Sequence, residues 1–211
     1  VGGAVTAGVP LRLAGAGAAG YLLGSVPLAD LATRLATGSK TDLRLIGSGN
    51  PGAANAMSVV GKCWGIGILV GDIGKGALAS VVGRGLAGGN GAHVGGTAAV
   101  IGHCLPVWSR FNGGKGAATS CGQCLATFPA YFPIDLAVAV AVAKWRRRAL
   151  PATATASAVW VGAGLLWWRR GWPNGWGPRP TAALPIAAAV SSAVIFSRFW
   201  AARGWQERTG R

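Results

Sequence analysis

Two short segments rich in glycine and polar residues interrupt a chain that is otherwise mostly apolar. The first, residues 42–55, has three glycines, two asparagines, a serine and a proline in its last nine positions, just after Arg44. Glycine and asparagine end a helix, and they let main-chain N–H groups approach a ligand closely. Arginine binds phosphate through two parallel hydrogen bonds. The segment therefore predicts an anion-binding loop around Arg44, Gly47 and Gly49, with an ordinary connection between two helices as the alternative.

The second segment, residues 111–120, has Gly113 and Gly114 directly before Lys115, at the predicted start of a helix. A lysine beside the free N–H groups of a helix N-terminus suits a phosphate or an acyl phosphate. The spacing differs from the nucleotide-binding pattern G-x-x-x-x-G-K-[ST], because Gly116 follows the lysine, and no acidic residue is placed to hold magnesium. We therefore expect no ATP-driven reaction and no metal site. Two phosphate-compatible loops in one chain suggest a polyanionic substrate.

Three apolar stretches contain isolated polar side chains that could take part in chemistry. Pro27 predicts a bend at the end of the first helix, with Ser25 pointing either into a polar cavity or back to its own helix. Asp72 and Lys75 are three residues apart, which places them on one helix face and favours a mutual ion pair over direct catalysis. His103 precedes the second glycine-rich segment, and its position fits a structural hydrogen-bond donor and a catalytic residue equally well.

The composition places these segments in a membrane protein. Charged residues make up 12% of the chain and hydrophobic residues 51%, and the mean hydropathy is +0.43. These values exclude a disordered chain, and a soluble domain normally has about 25% charged residues. Apolar stretches near the length of a bilayer span recur, which predicts an all-α polytopic membrane protein with one domain over residues 1–211. We expect about seven transmembrane helices, with six and eight as alternatives, at residues 11–35, 57–83, 92–108, 116–131, 132–144, 152–168 and 182–197.

Positive charges are distributed unevenly between the predicted loops. A net charge of +15 would suggest a nucleic-acid partner for a soluble protein, but here most Lys and Arg residues lie on the side of the membrane that holds both glycine-rich loops. The opposite side holds only Arg12, Arg84, Arg169, Arg170 and Arg179. The positive-inside rule then places the N-terminus outside, and both loops and the C-terminus in the cytoplasm. We expect contacts with membrane lipids and none with nucleic acid.

The four cysteines have no spacing typical of a disulfide framework or a zinc site. Cys121 and Cys124 form a C-x-x-C pattern, but the chain has no second pair and the pattern lies in an apolar segment. We expect these two residues, with Cys63 and Cys104, to be packing residues.

Four segments of the chain, taken in order, resemble motifs of the bacterial acyl-phosphate:glycerol-3-phosphate acyltransferases of the PlsY type. The family's G-S-[IV]-P corresponds to Gly24–Pro27, and its I-G-S-G-N-P-G-A-T-N corresponds to Ile46–Asn55 with Ala54 in place of threonine. A following D-I-x-K-G corresponds to Asp72–Gly76, and a long motif around G-G-K-G corresponds to Gly102–Ser120. The resemblance covers nearly the whole chain, and the second and last of these motifs are long and specific.

The resemblance implies a membrane enzyme of seven helices in the bacterial plasma membrane. It would transfer a fatty acyl group from acyl phosphate to the 1-hydroxyl of glycerol 3-phosphate, giving lysophosphatidate and phosphate, with no cofactor and no protein nucleophile. We expect a monomer. The catalytic residues would be Ser25, His103 and Lys115. The substrate-binding residues would be Arg44, Gly47, Ser48, Gly49, Asn50, Asn55, Gly113 and Gly114.

Besides Ala54, the chain departs from the family pattern at Asn112, Ser197 and Trp200. Asn112 stands where family members usually have a lysine, and Ser197 and Trp200 stand where the C-terminal family motif has histidine and asparagine. These changes motivate two alternatives. One is a divergent paralogue that acylates another phosphorylated acceptor, and the other is a non-catalytic membrane protein that binds an anion or a lipid.

Overall fold

The computed structural model describes residues 3–146 and 149–209, and within them the protein is all-α. A short 3-10 turn at Val107–Ser109 precedes α5. The α-helices are α1 (Gly3–Ser25), α2 (Leu28–Thr37), α3 (Ala53–Val59), α4 (Lys62–Cys104), α5 (Ala117–Thr127), α6 (Phe132–Arg146), α7 (Ala149–Arg170) and α8 (Ala183–Thr209).

The 43-residue helix α4 consists of two arms that meet at a sharp kink. Ala87 leaves the helical region at the kink, and Gly88 takes a left-handed φ of 65°, which glycine adopts without a steric penalty. Counting the two arms separately, with α1, α5, α6, α7 and α8, gives seven apolar helical segments, so the prediction of about seven is confirmed. By length and composition, three stretches of the described chain could cross a bilayer: Lys62–Ser109, Leu150–Arg170 and Ala183–Ala202.

The first predicted span, residues 11–35, is wrong because the helix breaks near its middle. α1 ends at Ser25, and α2 begins at Leu28 after Pro27. Proline has no backbone N–H to continue the helical hydrogen bonds, and its ring disfavours a helical conformation of the preceding residue. The predicted start of the second span at residue 57 is also wrong, because α3 ends at Val59 and α4 starts anew at Lys62.

Helix α4 lies at the centre of the bundle, and α1, α3, α5 and α8 pack against it. Small residues allow these close approaches. A Cβ atom added to Gly20 or Gly24 of α1 would collide with main-chain atoms of α4 at Gly95 and Ala99. Membrane helices associate through van der Waals packing of this kind, because lipid and side chains are equally apolar.

Two of the cysteines pack into apolar clusters, as predicted. Cys124 lies with Phe128 and Tyr131 against α7 and α8, and Cys104 lies with Val100 beneath α8. Residues 172–181 form a non-helical segment between α7 and α8.

The packing of α4 against α5 provides a test of the fold. Gly76 on α4 is buried against the Thr119 carbonyl of α5, whereas Gly74, two residues earlier, has no atom within 4 Å of an added Cβ. We expect Gly76→Ala to destabilise the protein by about 1–3 kcal/mol through overpacking. Gly74→Ala should be neutral or stabilising, by up to about 1 kcal/mol, since alanine favours a helix. Thermal unfolding of both variants in detergent measures this, and equal midpoints would contradict the packing.

Candidate active site

The first glycine-rich loop, residues 38–52, is organised by the side chain of Asn55 on α3. Its amide nitrogen donates hydrogen bonds to the carbonyl oxygens of Leu43 (2.9 Å) and Ile46 (3.0 Å). Its oxygen accepts one from the Ser48 N–H (2.9 Å). A side chain at Gly47, where φ is +61°, would collide with this same oxygen. Asn55 thus fixes the backbone path of the first loop. Its side-chain nitrogen and oxygen are both hydrogen-bonded to the loop backbone.

The second glycine-rich loop, residues 105–116, folds back onto the end of α4. The Gly113 N–H donates to the Cys104 carbonyl and the Gly114 N–H to the His103 carbonyl, each at 3.2 Å. Carbonyl groups in the last turn of a helix lack helical partners, so these bonds satisfy them. A Cβ at Gly113 would collide with the His103 carbonyl oxygen, and one at Gly114 with its imidazole. Close packing therefore requires both glycines.

Four main-chain donors of the two loops are bonded within the protein, which differs from the ligand cradle expected of these loops. The N–H groups of Gly113 and Gly114 are bonded to α4, that of Ser48 is bonded to Asn55, and that of Gly49 to the Ile46 carbonyl. The reason is that buried or partly buried backbone groups must be paired. These four N–H groups are therefore not available to an anion.

Arg44 joins the two loops and α2 through its guanidinium group. Nη1 and Nη2 donate to the two carboxylate oxygens of Asp30 at 2.7 and 3.0 Å. Nε and Nη2 donate to the Asn112 carbonyl at 2.9 and 2.8 Å, and Nη1 also reaches Asp42 at 3.4 Å. A guanidinium has five N–H donors, and each of them has a protein acceptor here. Burial lowers the pKa of Arg44, but the hydrogen bond and charge of Asp30 raise it above its ordinary value.

An outer cleft of 220 Å³ opens between the two loops and α8. Its lining residues include Arg44, Ser48, Gly49, Asn50, Pro51, Asn112, Gly113, Lys115 and Arg198. No carboxylate is among its lining residues, and none in the described part of the chain forms an ion pair with Lys115 or Arg198. The cleft is therefore strongly positive.

The two unpaired cations of the outer cleft are held by uncharged groups. The Lys115 ammonium lies 4.4 Å from the centre of the Phe199 ring, within reach of a cation–π interaction. Arg198 donates from Nη2 to the Gly113 carbonyl (3.1 Å) and the Asn112 side chain (3.4 Å), while its buried Nε has no partner. Both side chains are thus oriented without losing their net charge. Burial lowers the pKa of the Lys115 amine below its ordinary value of 10.5.

A narrow inner cavity of about 20 Å³ lies behind the outer cleft and shares its wall of Arg44, Pro51 and Gly113. Around it stand Ser25, Asp72, Lys75 and His103, together with Gly114. These residues come from α1, both arms of α4 and the second loop.

The polar groups of the inner cavity form a chain centred on Asp72. One oxygen of Asp72 lies 3.0 Å from the Lys75 ammonium, which confirms the predicted ion pair, and 3.4 Å from His103 Nδ1. Lys75 also donates to the Val26 carbonyl at 3.2 Å, at the break before Pro27. Ser25 Oγ is fully buried and has no hydrogen-bond partner, so the alternative in which it bonds to its own helix is wrong.

The predicted site residues divide between the two cavities, with two exceptions. Ser25, His103 and Gly114 line the inner cavity; Ser48, Gly49, Asn50 and Lys115 line the outer cleft; Arg44 and Gly113 line both. Gly47 and Asn55 line neither.

Sequence reasoning missed Arg198 and Asp30 as members of the site. Arg198 directly follows Ser197, an altered position of the C-terminal family motif, and this place in the sequence was the available signal for it. The side chains at the altered positions of that motif are not directed into the outer cleft. Ser197 Oγ donates to the Val194 carbonyl at 2.7 Å, and Trp200 is 77% exposed. Neither residue lines the cleft.

A bundle of apolar helices that gathers cations and an Asp–His pair at one end is the architecture of an integral membrane protein with a positively charged cleft. The sequence matches the glycerol-3-phosphate acyltransferase family over residues 14–206, and the chain belongs to this family.

Known proteins agree with this membership. A glycerol-3-phosphate acyltransferase of Exiguobacterium sibiricum is 49% identical over 117 residues, which are 56% of each chain, so the chain spans about half the length of this curated relative. Two crystal structures of PlsY, an integral membrane glycerol 3-phosphate acyltransferase, are similar over 94% of this chain and 93% of theirs. The glycerol 3-phosphate form has a TM-score of 0.75 at 28% identity, and the lysophosphatidic acid form 0.73 at 27%.

The two asparagines of the first motif should respond differently to substitution. Asn55 is 4% exposed and makes three hydrogen bonds to the loop backbone, whereas Asn50 lines the outer cleft. We expect Asn55→Ala to destabilise the protein by at least about 2 kcal/mol, because it leaves several backbone groups unpaired. Asn50→Ala should leave the thermal midpoint unchanged and weaken the binding of glycerol 3-phosphate. The reverse pattern, in unfolding and binding measurements, would contradict these assignments.

Proposed function

We propose that this protein transfers a fatty acyl group from acyl phosphate to the 1-hydroxyl of glycerol 3-phosphate, giving lysophosphatidate and phosphate. The observation that carries the proposal is the outer cleft, beside the Asp72–His103 pair, in which Lys115 and Arg198 have no carboxylate partner among the described side chains. Membership of the acyltransferase family and the likeness to PlsY, which has been crystallised in glycerol 3-phosphate and lysophosphatidic acid forms, support it.

In this proposal the outer cleft binds the phosphate groups. Hydrogen bonds from a cation to a phosphate are short and about twice as strong as neutral ones. Lys115 and Arg198 supply these bonds, and Ser48 and Asn50 line the same cleft with neutral polar groups. Arg44 contributes positive potential, but its donors are directed to Asp30, Asp42 and Asn112. We assign Arg44 mainly to holding the loops.

The reaction needs no protein nucleophile, because acyl phosphate is a mixed anhydride with a good leaving group. The 1-hydroxyl oxygen attacks the acyl carbonyl carbon, the carbon–oxygen bond to phosphate breaks, and phosphate leaves. His103 Nε2 accepts the hydroxyl proton and passes it to the leaving phosphate, so that atoms and charge balance. Asp72 stabilises this tautomer of His103 by facing Nδ1.

Positioning and charge stabilisation then account for the acceleration. The unpartnered Ser25 hydroxyl lines the inner cavity and would donate to the acyl oxygen as negative charge develops on it. Holding two reactants in line contributes further, since a bimolecular step becomes effectively unimolecular. We place both cavities at the cytoplasmic face of the plasma membrane, on the basis of the uneven distribution of Lys and Arg.

Turnover by the purified protein tests the proposal. In nanodiscs, with acyl phosphate and labelled glycerol 3-phosphate, we expect lysophosphatidate and equimolar phosphate to form without coenzyme A or ATP. Lys115→Ala is the matched control, and it should lower kcat/KM at least about tenfold, because one charged hydrogen bond is worth roughly 1.5–3 kcal/mol. A panel of other phosphorylated acceptors belongs in the same assay. No product above the control, or a better acceptor than glycerol 3-phosphate, would overturn the assignment.

The affinity for glycerol 3-phosphate should fall at a lower alkaline pH than it would if Lys115 had the ordinary pKa of a lysine. Burial lowers the pKa of Lys115, and the amine binds phosphate in its charged form, below that pKa. Affinity is therefore present at neutral pH and is lost as the pH rises through a value below 10.5. Lys115→Arg keeps its charge throughout this range, because arginine has a pKa above about 12. Calorimetric titrations at several pH values should show a flatter profile for Lys115→Arg; parallel profiles would assign the pH dependence to another group.

A further inference from the structure

Asp30 touches both glycine-rich loops at once. It lies in the first turn of α2, and its two oxygens accept the Arg44 fork at 2.7 and 3.0 Å. One oxygen also accepts the Ser109 hydroxyl of the second loop at 3.1 Å. Arg44 in turn donates two hydrogen bonds to the Asn112 carbonyl, so a single carboxylate connects α2 to the first loop and, through two routes, to the second.

The ion pair of Arg44 and Asp30 is largely shielded from solvent, so its strength depends on the geometry of its hydrogen bonds. The side chains of Arg44 and Asp30 are 18% and 19% exposed. A bidentate arginine–carboxylate pair fixes orientation as well as distance. Removing one partner of such a pair leaves the other charge partly buried and uncompensated, which costs more than the loss of a surface ion pair. Arg44 without Asp30 would therefore reorient, and both loops would lose a common anchor.

We propose that Asp30 is a positioning residue that holds the two loops together over the outer cleft. The cations that face this cleft, Lys115 and Arg198, lie in or against the second loop, while Ser48 and Asn50 belong to the first. Their spacing depends on the junction of Asp30, Arg44 and Asn112. This inference rests on the proposed function for its effect on glycerol 3-phosphate, although the junction itself is independent of the reaction.

A direct phosphate-binding role of Arg44 makes the opposite prediction for Asp30. If Arg44 were mainly a phosphate ligand, removing its carboxylate partner would free the fork, and Asp30→Asn would bind glycerol 3-phosphate as well as or better than wild type. If Asp30 positions the loops through Arg44, then Asp30→Asn should weaken binding as Arg44→Lys does. The double variant should then bind no more weakly than the worse single variant, since both changes break one junction.

Calorimetric binding of glycerol 3-phosphate to the full chain in nanodiscs measures the effect. We expect Asp30→Asn and Arg44→Lys each to raise Kd about tenfold or more, with a matching rise in KM and a smaller change in kcat. The control is Asp42→Asn, the same change at the other carboxylate beside Arg44. The Asp42 side chain is 47% exposed, lies 3.4 Å from Arg44 Nη1 and lines neither cavity. Its oxygen also accepts the Arg44 main-chain N–H at 2.9 Å, a bond that the asparagine oxygen can keep. The Kd of Asp42→Asn should therefore stay within about twofold of wild type. Equal affinities of wild type and Asp30→Asn would overturn the proposal.

A distance measurement separates this proposal from the proposed function. Spin labels at Ile46 and Trp108, which are 44% and 64% exposed and line neither cavity, report the separation of the two loops. They are introduced as cysteines in a background with Cys63→Ser and Cys121→Ser. We expect a narrow distribution in the reference protein and in Asp42→Asn, and a broader or longer one in Asp30→Asn. If the wild type binds no glycerol 3-phosphate, the proposed function fails, and the distance distribution of Asp30→Asn alone then tests the role of Asp30. A broader distribution than in the reference protein supports that role, and an unchanged distribution overturns it.

Discussion

The scarcity of carboxylates is the constraint on which this site depends. The chain has 5 acidic and 20 basic residues. Among the described side chains, Asp30 and Asp42 are engaged with Arg44, Asp72 with Lys75 and His103, and Asp135 with the Tyr131 hydroxyl at 3.5 Å. None of these four described carboxylates neutralises the outer cleft. A cation that is already paired gains little from a phosphate, so under the function proposed above the site must keep some cations unpaired.

The local pattern of the sequence predicted where the chemistry lies but not how it is held. Glycine, asparagine and isolated ionisable residues in an apolar chain identified both loops, Ser25 and His103. The ion pair of Asp72 and Lys75 was predictable because it is local, with a spacing of one helical turn. The contacts of Arg44 with Asp30 and Asn112 were not, because these acceptors lie 14 and 68 residues away and a local pattern contains no information about them.

The glycines of the second loop show another limit of prediction from the local sequence. Their type predicted exposed N–H groups for an anion, whereas the structure uses Gly113 and Gly114 to bring the second loop against the end of α4. Both explanations require a residue without a side chain, and the sequence alone cannot distinguish a close ligand from a close backbone. The helix break at Pro27 was also predictable only in part. Proline predicted a bend, but the hydrogen bond from Lys75 to the Val26 carbonyl depends on the packing of α4.

Phe199 shows how a cation can be oriented without being neutralised. A carboxylate at the same distance would hold the Lys115 ammonium more firmly, but it would also compete with a phosphate for the same charge. The aromatic face attracts the ammonium by about 0.5–2 kcal/mol and brings no formal charge of its own. Asn112 does the same for Arg198, since an amide oxygen accepts a hydrogen bond and leaves the guanidinium charge intact. Helix α8 therefore contributes one cation and the ring that positions the other, while the ion pairs among the described side chains lie at Arg44 and in the inner cavity.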